Sequence, residues 1–129
     1  MALTALELSP KELKKYRPWE AYRKRKAETR VEVAKRRRRA ISTARKAAKM
    51  LKEKFGATEV ILFGSLARRG SFSLYSDIDL AVRGVDPLRF YAAGGAIERV
   101  DLSFQIDLVE LETCPPAVFK NIEKDGKPL

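Results

Sequence analysis

The pattern of apolar and polar positions predicts a long helix in the first half of the chain. Residues 19–55 contain neither Pro nor Gly and are dominated by Ala, Lys, Arg and Glu, which favour helix. In the second half of this stretch, apolar residues recur at three- and four-residue spacing, namely Ile41, Ala44, Ala48, Leu51 and Phe55. This spacing places them on one face of a helix. Gly56 is suited to end that helix in a left-handed conformation.

The period of the pattern changes after Gly56. The run 59–63 predicts a strand that is buried on both faces. Further along, the pattern predicts a short helical turn at 66–69, a strand at 77–82, a helix at 87–99, a strand at about 103–109 and a short helix at about 115–123. This order of elements predicts an α/β (α+β) fold in which a small sheet is covered by helices.

The size and composition of the chain indicate one modest globular domain. Hydrophobic residues make up 45% of the 129 residues and charged residues 34%. No apolar run approaches the roughly 18 residues that cross a bilayer. The amino end lacks the basic-then-apolar order of a secretory signal. We therefore expect a cytoplasmic protein that does not associate with membranes.

The chain contains no histidine, which narrows the chemistry that it could perform. Catalysis by Ser-His or Cys-His pairs is excluded, as is every zinc site that needs imidazole. The single cysteine, Cys114, cannot form an intrachain disulfide. Carboxylates together with an oxygen-preferring cation such as Mg²⁺ become the leading candidates.

Three aspartates are candidates for such a site. Asp77 and Asp79 are two residues apart in a predicted strand, so both carboxylates project from the same face. They repel each other unless a cation lies between them. A pair of divalent cations could clamp a triphosphate and neutralise the leaving pyrophosphate. Asp107 alternates with apolar residues in the next predicted strand, and would be either a metal ligand or a general base.

The pair Gly64-Ser65 is a candidate for binding phosphate. A glycine at a strand end allows a phosphate to approach the backbone, and a following helical turn with Ser65 as its N-cap would present free amides. Arg68 or Arg69 could add positive charge. Each motif is weak alone, since a lone Asp-x-Asp is more often a solvated surface or a turn. Their combination within a short stretch is what indicates a site.

Residues 62–70 and 76–82 closely resemble the DNA polymerase beta-like nucleotidyltransferase superfamily and, more narrowly, its minimal nucleotidyltransferase (MNT) group. The family pattern is Gly-Ser, a short segment containing Arg-Gly, and then Asp-x-Asp, with a third acidic residue on a later strand. Asp107 matches that third position, and residues 119–126 resemble the common C-terminal helix. The resemblance covers about residues 41–128. Because 68–70 carries one residue more than the commonest Arg-Gly spacing, it stays open which arginine contacts phosphate.

This resemblance implies a mixed sheet of the polymerase beta type and a reaction that depends on Mg²⁺ or Mn²⁺. In that reaction NMP, here AMP from ATP, is transferred to a hydroxyl acceptor. The implied catalytic and metal-binding residues are Asp77, Asp79 and Asp107, and the implied phosphate-binding residues are Gly64, Ser65, Arg68, Arg69 and Ser76. Minimal nucleotidyltransferases often pair with a HEPN toxin, and can adenylylate a tyrosine of it. The resemblance thus implies an antitoxin of the type VII kind.

The positive charge is concentrated in the amino-terminal part of the chain. This part is the one that the family resemblance explains least. Residues 1–55 have a net charge of +13 and residues 56–129 a net charge of −3. We expect a nucleotidyltransferase domain over 41–129 and a basic, largely helical extension over 1–40. The densest run is Lys35, Arg36, Arg37, Arg38 and Arg39.

This run could bind nucleic acid or an acidic partner, or it could be a solvated helix face. A segment that orders on binding is a third interpretation. Tyr16, Trp19 and Tyr22 just upstream are expected to pack on the domain or on a partner. The alternative function is a catalytically silent binding module that neutralises a toxin or binds nucleic acid through this region. A glycosyltransferase that uses Asp-x-Asp is a third hypothesis, although that class normally needs a larger domain.

Overall fold

The computed structural model describes residues 18–129, so the predictions made for Tyr16 and for the first 17 residues of the extension lie outside the described residues. The elements are α1 (Pro18–Phe55), β1 (Glu59–Phe63), β2 (Ile78–Arg83), a 3-10 turn (Pro87–Arg89), α2 (Phe90–Glu98), β3 (Ile106–Glu110), α3 (Pro116–Asp125) and β4 (Lys127–Pro128). They form a mixed sheet with helices around it, which confirms the predicted fold class. None of the described helices is long and apolar enough to cross a membrane.

The chain divides into two units between Glu32 and Val33. Of the first unit, the structure describes residues 18–32, which are helical and carry exposed Trp19 and Tyr22 side chains. The second unit contains the sheet, the remaining helices and all of the predicted site residues. The predicted division into an extension over 1–40 and a domain over 41–129 stays a prediction.

In the second unit, α1 packs on the sheet mainly through alanines. Its buried apolar residues are Ala40, Ala44, Ala47, Ala48 and Leu51. Such small side chains let the helix backbone approach the sheet closely. Gly56 ends the helix as predicted, with a φ of 72°. The amide of the next residue, Ala57, donates a hydrogen bond of 3.0 Å to the carbonyl of Leu51 and so closes the helix end.

The strand order in the sheet is β3-β2-β1-β4. β1 pairs antiparallel with both β2 and β4, whereas β2 and β3 are parallel and are connected through α2. A parallel pair requires such a crossover connection. Because side chains alternate between the faces of a sheet, each strand serves two layers. Val60, Leu62 and Leu80 join the core under α1 and α2, and Ile61, Phe63 and Ala81 join the core under α3.

Several boundaries differ from the prediction. The short helical turn predicted at 66–69 is a single turn that begins earlier, at Gly64, whose carbonyl accepts from the amides of Ala67 and Arg68 at 3.2 and 3.3 Å. β3 starts at Ile106 and not near Ser103, because the amide of Phe104 donates to the carbonyl of Asp101 in a turn. β4 was not predicted. Two residues that include a proline carry no alternating pattern by which a strand can be identified.

Candidate active site

Gly64 lies where β1 ends and has a φ of 74°, a conformation that favours glycine. In the sheet, Phe63 is the register partner of Asp79, so the Asp79 side chain lies next to Gly64. A β-carbon on Gly64 would overlap with Oδ2 of Asp79 and lie 3.0 Å from its Cγ. The sequence suggested that glycine is needed here for the approach of a phosphate. The structure gives a second reason, which is the approach of the Asp79 carboxylate.

Asp79 and Asp107 are register partners on the parallel strands β2 and β3. By alternation they are on the sheet face of Ala81 and Val109, which belong to the core under α3. Burial, and then the negative charges of Asp107 and Asp77, raise the pKa of Asp79 from 3.8 to about 6. Asp77 and Asp107 thus lie close enough for their charges to act on Asp79, and the role of the three aspartates as a metal site stays a prediction. Asp79 is half-buried and Asp107 is exposed.

Asp77 follows a tight turn directly before β2. In this turn the amide of Ser76 donates to the carbonyl of Ser73 at 3.3 Å, and the amide of Ser73 donates to Oγ of Ser76 at 2.9 Å. The two hydroxyl oxygens are also 3.0 Å apart. The Ser76 hydroxyl, which the resemblance assigns to phosphate, thus has partners within the turn. Tyr75 is 91% exposed in the same turn.

The two candidate arginines, Arg68 and Arg69, differ in their electrostatic effect on Asp79. Both Arg68 and Arg69 are exposed after the turn that begins at Gly64. The positive charge of Arg68 lowers the pKa of Asp79, against the larger effects that raise it. The charge of Arg68 therefore acts on Asp79, whereas its contact with phosphate stays a prediction. The Gly64 carbonyl, rather than the Ser65 hydroxyl, closes the turn, so the N-cap predicted for Ser65 is replaced by a backbone interaction.

The five basic residues 35–39 do not form one surface. Lys35 and Arg38 are exposed, whereas Arg36 and Arg37 are half-buried. Arg39 forms a bidentate ion pair with Asp101, with N–O distances of 2.7 and 3.0 Å. Their role in binding nucleic acid or a partner stays a prediction, and Lys35 and Arg38 are the members best placed for it.

Two residues near the acidic set were missed in the sequence. Gln105 donates a hydrogen bond of 3.1 Å from Nε2 to Oδ1 of Asp107. Its position two residues before Asp107, on the same face of a strand pattern, was the available signal. Arg36 contacts the segments before Asp77 and Asp107. Its helical spacing from Ala40 and Ala44, the buried positions of α1, was the signal there.

The donor set suits a hard divalent cation. Carboxylate oxygens are the ligands that Mg²⁺ prefers, and a cation beside Asp79 would offset the repulsion that raises its pKa. Within residues 18–129, no three acidic or cysteine side chains converge as a preformed cage. Mg²⁺ is commonly bound by one or two carboxylates together with substrate phosphates, which fits an open acidic set of this kind.

Aspartates on adjacent strands, beside a strand that ends in Gly-Ser, define the class of the nucleotidyltransferases. Residues 45–129, more than half of the chain, match the family described as polymerase beta, nucleotidyltransferase. The chain belongs to this family, which confirms the resemblance stated from the sequence. No curated protein matches the chain.

Several solved structures to which the chain is similar are toxin–antitoxin complexes. A toxin–antitoxin structure with AMP-PNP is 25% identical, with a TM-score of 0.57, over 66% of this chain and 70% of the other. A Tyr-to-Ala mutant of MntA–HpeT is 26% identical, with a TM-score of 0.55, over 66% and 69%. The MNT antitoxin complex with the tri-AMPylated HEPN toxin of Shewanella oneidensis is 24% identical, with a TM-score of 0.53, over 69% and 70%. These likenesses agree with the narrower resemblance to the MNT group.

Proposed function

We propose that this protein is a nucleotidyltransferase that transfers AMP from ATP to a hydroxyl, and that it acts as the antitoxin of a HEPN-type toxin. The observation that carries the proposal is the register of Asp79 against Asp107, with Gly64 beside Asp79. A register pair of two acidic residues is electrostatically unfavourable in the free protein. Such a pair is explained by a cationic ligand, and in this family that ligand accompanies a nucleoside triphosphate.

The residues of the site would have separate tasks in this reaction. Asp77 and Asp79 would hold Mg²⁺ or Mn²⁺, which when bound neutralises phosphate charge and polarises the reacting phosphorus. Arg68 would bind the phosphates, because its charge already acts on Asp79. Ser65 and Arg69, which flank the same turn, are further candidates for phosphate contacts. The left-handed Gly64 leaves the backbone open to the phosphate chain.

Asp107 is proposed as the base. It is exposed, and Gln105 holds its Oδ1, so that Oδ2 is the oxygen left to accept a proton. As the acceptor hydroxyl forms its bond to the α-phosphorus, its proton passes to Asp107. The bond between the α-phosphorus and the bridging oxygen breaks, and pyrophosphate leaves. The products are an AMP ester of the acceptor and pyrophosphate.

The choice of acceptor and nucleotide is supported by the related structures. The relative at 25% identity was solved with AMP-PNP, an ATP analogue, which supports ATP as the donor. The relative at 26% identity is a toxin–antitoxin complex, which supports a protein partner. The tri-AMPylated toxin bound to an MNT antitoxin shows what product a protein of this fold can be found with. We therefore propose a tyrosine of the partner toxin as the acceptor.

The test is transfer of label from ATP to a purified HEPN-type partner in the presence of Mg²⁺. Label at the α-phosphate should appear on the partner and label at the γ-phosphate should not, which distinguishes nucleotide transfer from phosphate transfer. The double variant Asp77→Asn/Asp79→Asn should lose transfer, whereas Glu98→Gln, which removes an exposed carboxylate of α2, should keep it. Absence of label with each of the four triphosphates, on the partner and on lysate proteins, would refute the proposal.

A further inference from the structure

Arg36 is a charged residue of α1 within the second unit, and its side chain points towards two phenylalanine rings. Its guanidinium carbon lies 4.3 Å from the ring centroid of Phe104 and 6.0 Å from that of Phe72. Both phenylalanines are buried. Nη2 donates to the carbonyl of Ser76 at 3.3 Å, and Nη1 donates to the carbonyl of Ser103 at 3.4 Å. One planar cation thus connects three segments that are distant in the sequence.

The two carbonyls belong to the segments that lead into the two acidic strands. Ser76 directly precedes Asp77. Ser103 lies four residues before Asp107, in the turn that precedes β3. The donors of a guanidinium group have a fixed planar geometry. A single arginine that bonds to both carbonyls therefore restricts the distance between the start of β2 and the start of β3.

A further donor of this guanidinium, Nε–H, indicates that the position of the group is imposed by its surroundings. Nε of Arg36 is buried and has no hydrogen-bond partner among the described residues. An unpaired buried donor is unfavourable and needs an explanation. Here the two carbonyls and the two rings fix the guanidinium, and Nε is left in the apolar space between them. A side chain that served solubility alone would not be held in this way.

We propose that Arg36 is a positioning residue of the acidic site, which holds the segments before Asp77 and Asp107 so that the base Asp107 lies at the required distance from the cation held by Asp77 and Asp79. As far as catalysis is concerned, the inference rests on the proposed function. Arg36 acts through backbone carbonyls and not through its charge on Asp79, for which Arg68 is the cation that lowers the pKa.

The first test needs no activity. Hydrogen–deuterium exchange is followed in the metal-free protein for wild type, Arg36→Met, Arg36→Lys and the control Arg45→Met, which removes an exposed arginine of the same helix. In Arg36→Met, the amides of residues 73–78 and 103–106 should exchange at least tenfold faster, while those of β1 stay within twofold. Arg36→Lys, which keeps the charge but cannot bond to both carbonyls with a planar fork, should lie between. Unchanged exchange in these segments, or a uniform increase over the whole sheet, would overturn the proposal.

The second test measures the cation requirement. The Mg²⁺ concentration that gives half-maximal transfer should rise at least tenfold in Arg36→Met, while the KM for ATP at saturating Mg²⁺ changes less than threefold. Binding of Mn²⁺ with a non-hydrolysable ATP analogue should weaken in parallel. A loss of stability alone would lower the amount of active protein and leave both constants unchanged. If wild type neither transfers nor binds Mn²⁺, the proposed function fails, and the exchange measurement still decides the role of Arg36. Should Arg36→Met not fold, the comparison of Arg36→Lys with Arg45→Met carries both measurements.

Discussion

The carboxylate of Asp79 occupies the space that a β-carbon on Gly64 would need. Such a carbon would overlap with Oδ2 and lie 3.0 Å from Cγ. Gly64 also has a φ of 74°, which is unfavourable for a residue with a side chain. The end of β1 and the middle of β2 are therefore matched to each other, and the match depends on the absence of one carbon atom.

We expect Gly64→Ala to lower the free energy of unfolding by about 2–4 kcal/mol, because backbone strain adds to the displacement of the Asp79 carboxylate. Gly70→Ala is the matched control. Gly70 has a similar φ of 77°, but nothing lies within 4 Å of an added β-carbon. It should show the strain alone, about 1–2 kcal/mol. Urea unfolding of both variants measures the difference, and equal losses would show that the overlap is relieved without cost.

The pH dependence of stability should report the burial of Asp79. Its pKa in the folded state, about 6, lies above the ordinary 3.8, so the folded protein binds this proton more tightly than the unfolded chain. The stabilisation from the protonated carboxyl is complete below about pH 3.8 and is lost as the pH rises through 6. Asp79→Asn keeps a neutral side chain at every pH. In metal-free buffer, the variant should therefore gain stability relative to wild type between pH 4 and pH 7. A constant difference over that range would contradict the raised pKa.

Much of the fold could be predicted because its elements have strong periodic patterns. The helix over 19–55 lacks breakers and has an apolar stripe, β1 is apolar after Glu59, and β2 is apolar except for Asp79 and Arg83. The start of β3 was placed too early because Phe104 is apolar and suggests a strand, whereas it packs into the core from a turn. β4 was missed, since its pairing with Ile61 and Leu62 is made by the backbone.

The site could be predicted in part. The aspartates and Gly64 followed from their spacing, because a strand fixes the face of alternate residues. The partner of Asp79 across the sheet could not be identified, since register is set by tertiary packing. The inward orientation of Arg36 could not be predicted from composition, because Arg36 is one of five consecutive basic residues that composition does not distinguish. Its inward orientation results from its place one helical turn before Ala40, on the buried side of α1.

The ion pair of Arg39 and Asp101, in which only the aspartate is largely covered, should contribute more to stability than a pair in which both partners are exposed. Asp101 also accepts from the amide of Ser103 at 2.9 Å and from the hydroxyl of Thr43 at 3.3 Å. Asp101→Ala should cost about 1–2 kcal/mol, since the charge-assisted hydrogen bonds from Arg39 and those from the Ser103 amide and the buried Thr43 hydroxyl lose their acceptor. Glu59→Ala, which breaks the exposed pair with Arg83, should cost about 0–1 kcal/mol. Thermal unfolding of both variants measures these costs. An equal loss of stability in Glu59→Ala and Asp101→Ala would contradict the larger contribution expected of the Arg39–Asp101 pair.

The same aspartate should contribute to acid sensitivity. Burial alone would raise the pKa of Asp101, but the hydrogen bonds from Ser103 and Arg39 and the charge of Arg39 lower it below 3.8. A carboxyl whose pKa is lower in the folded protein stabilises the fold at every pH above the pKa that it has in the unfolded chain. This stabilisation is lost as the pH falls through the lower pKa of the folded state. Asp101→Asn should therefore lose less stability than wild type on acidification from pH 5 to pH 2. A parallel decline of the two proteins would show that this carboxyl does not titrate differently on folding.

Neutralising the exposed basic residues separates binding from folding. Lys35→Gln/Arg38→Gln should leave the melting temperature within 1–2 °C of wild type, because surface substitutions rarely change stability. If Lys35 and Arg38 bind nucleic acid, this double variant should bind RNA more weakly, and its RNA affinity should depend less on salt concentration. Fluorescence anisotropy with a labelled RNA, measured over a salt series, gives both values. Wild-type RNA affinity in the variant would assign Lys35 and Arg38 to a solvated face.

The alternation of buried residues in β3 has a consequence for how this chain can vary. Ile106 is buried and Leu108 packs against the same core, which commits Asp107 between them to the opposite face. A change in length of the connection at 99–100, ahead of the contacts made by Asp101 and Ser103, can be absorbed without moving Asp107 from Asp79. One residue added between Ile106 and Leu108 would instead turn the carboxylate, or a core side chain, to the wrong side of the sheet. Relatives should therefore tolerate insertions ahead of Asp101 and exclude them within β3.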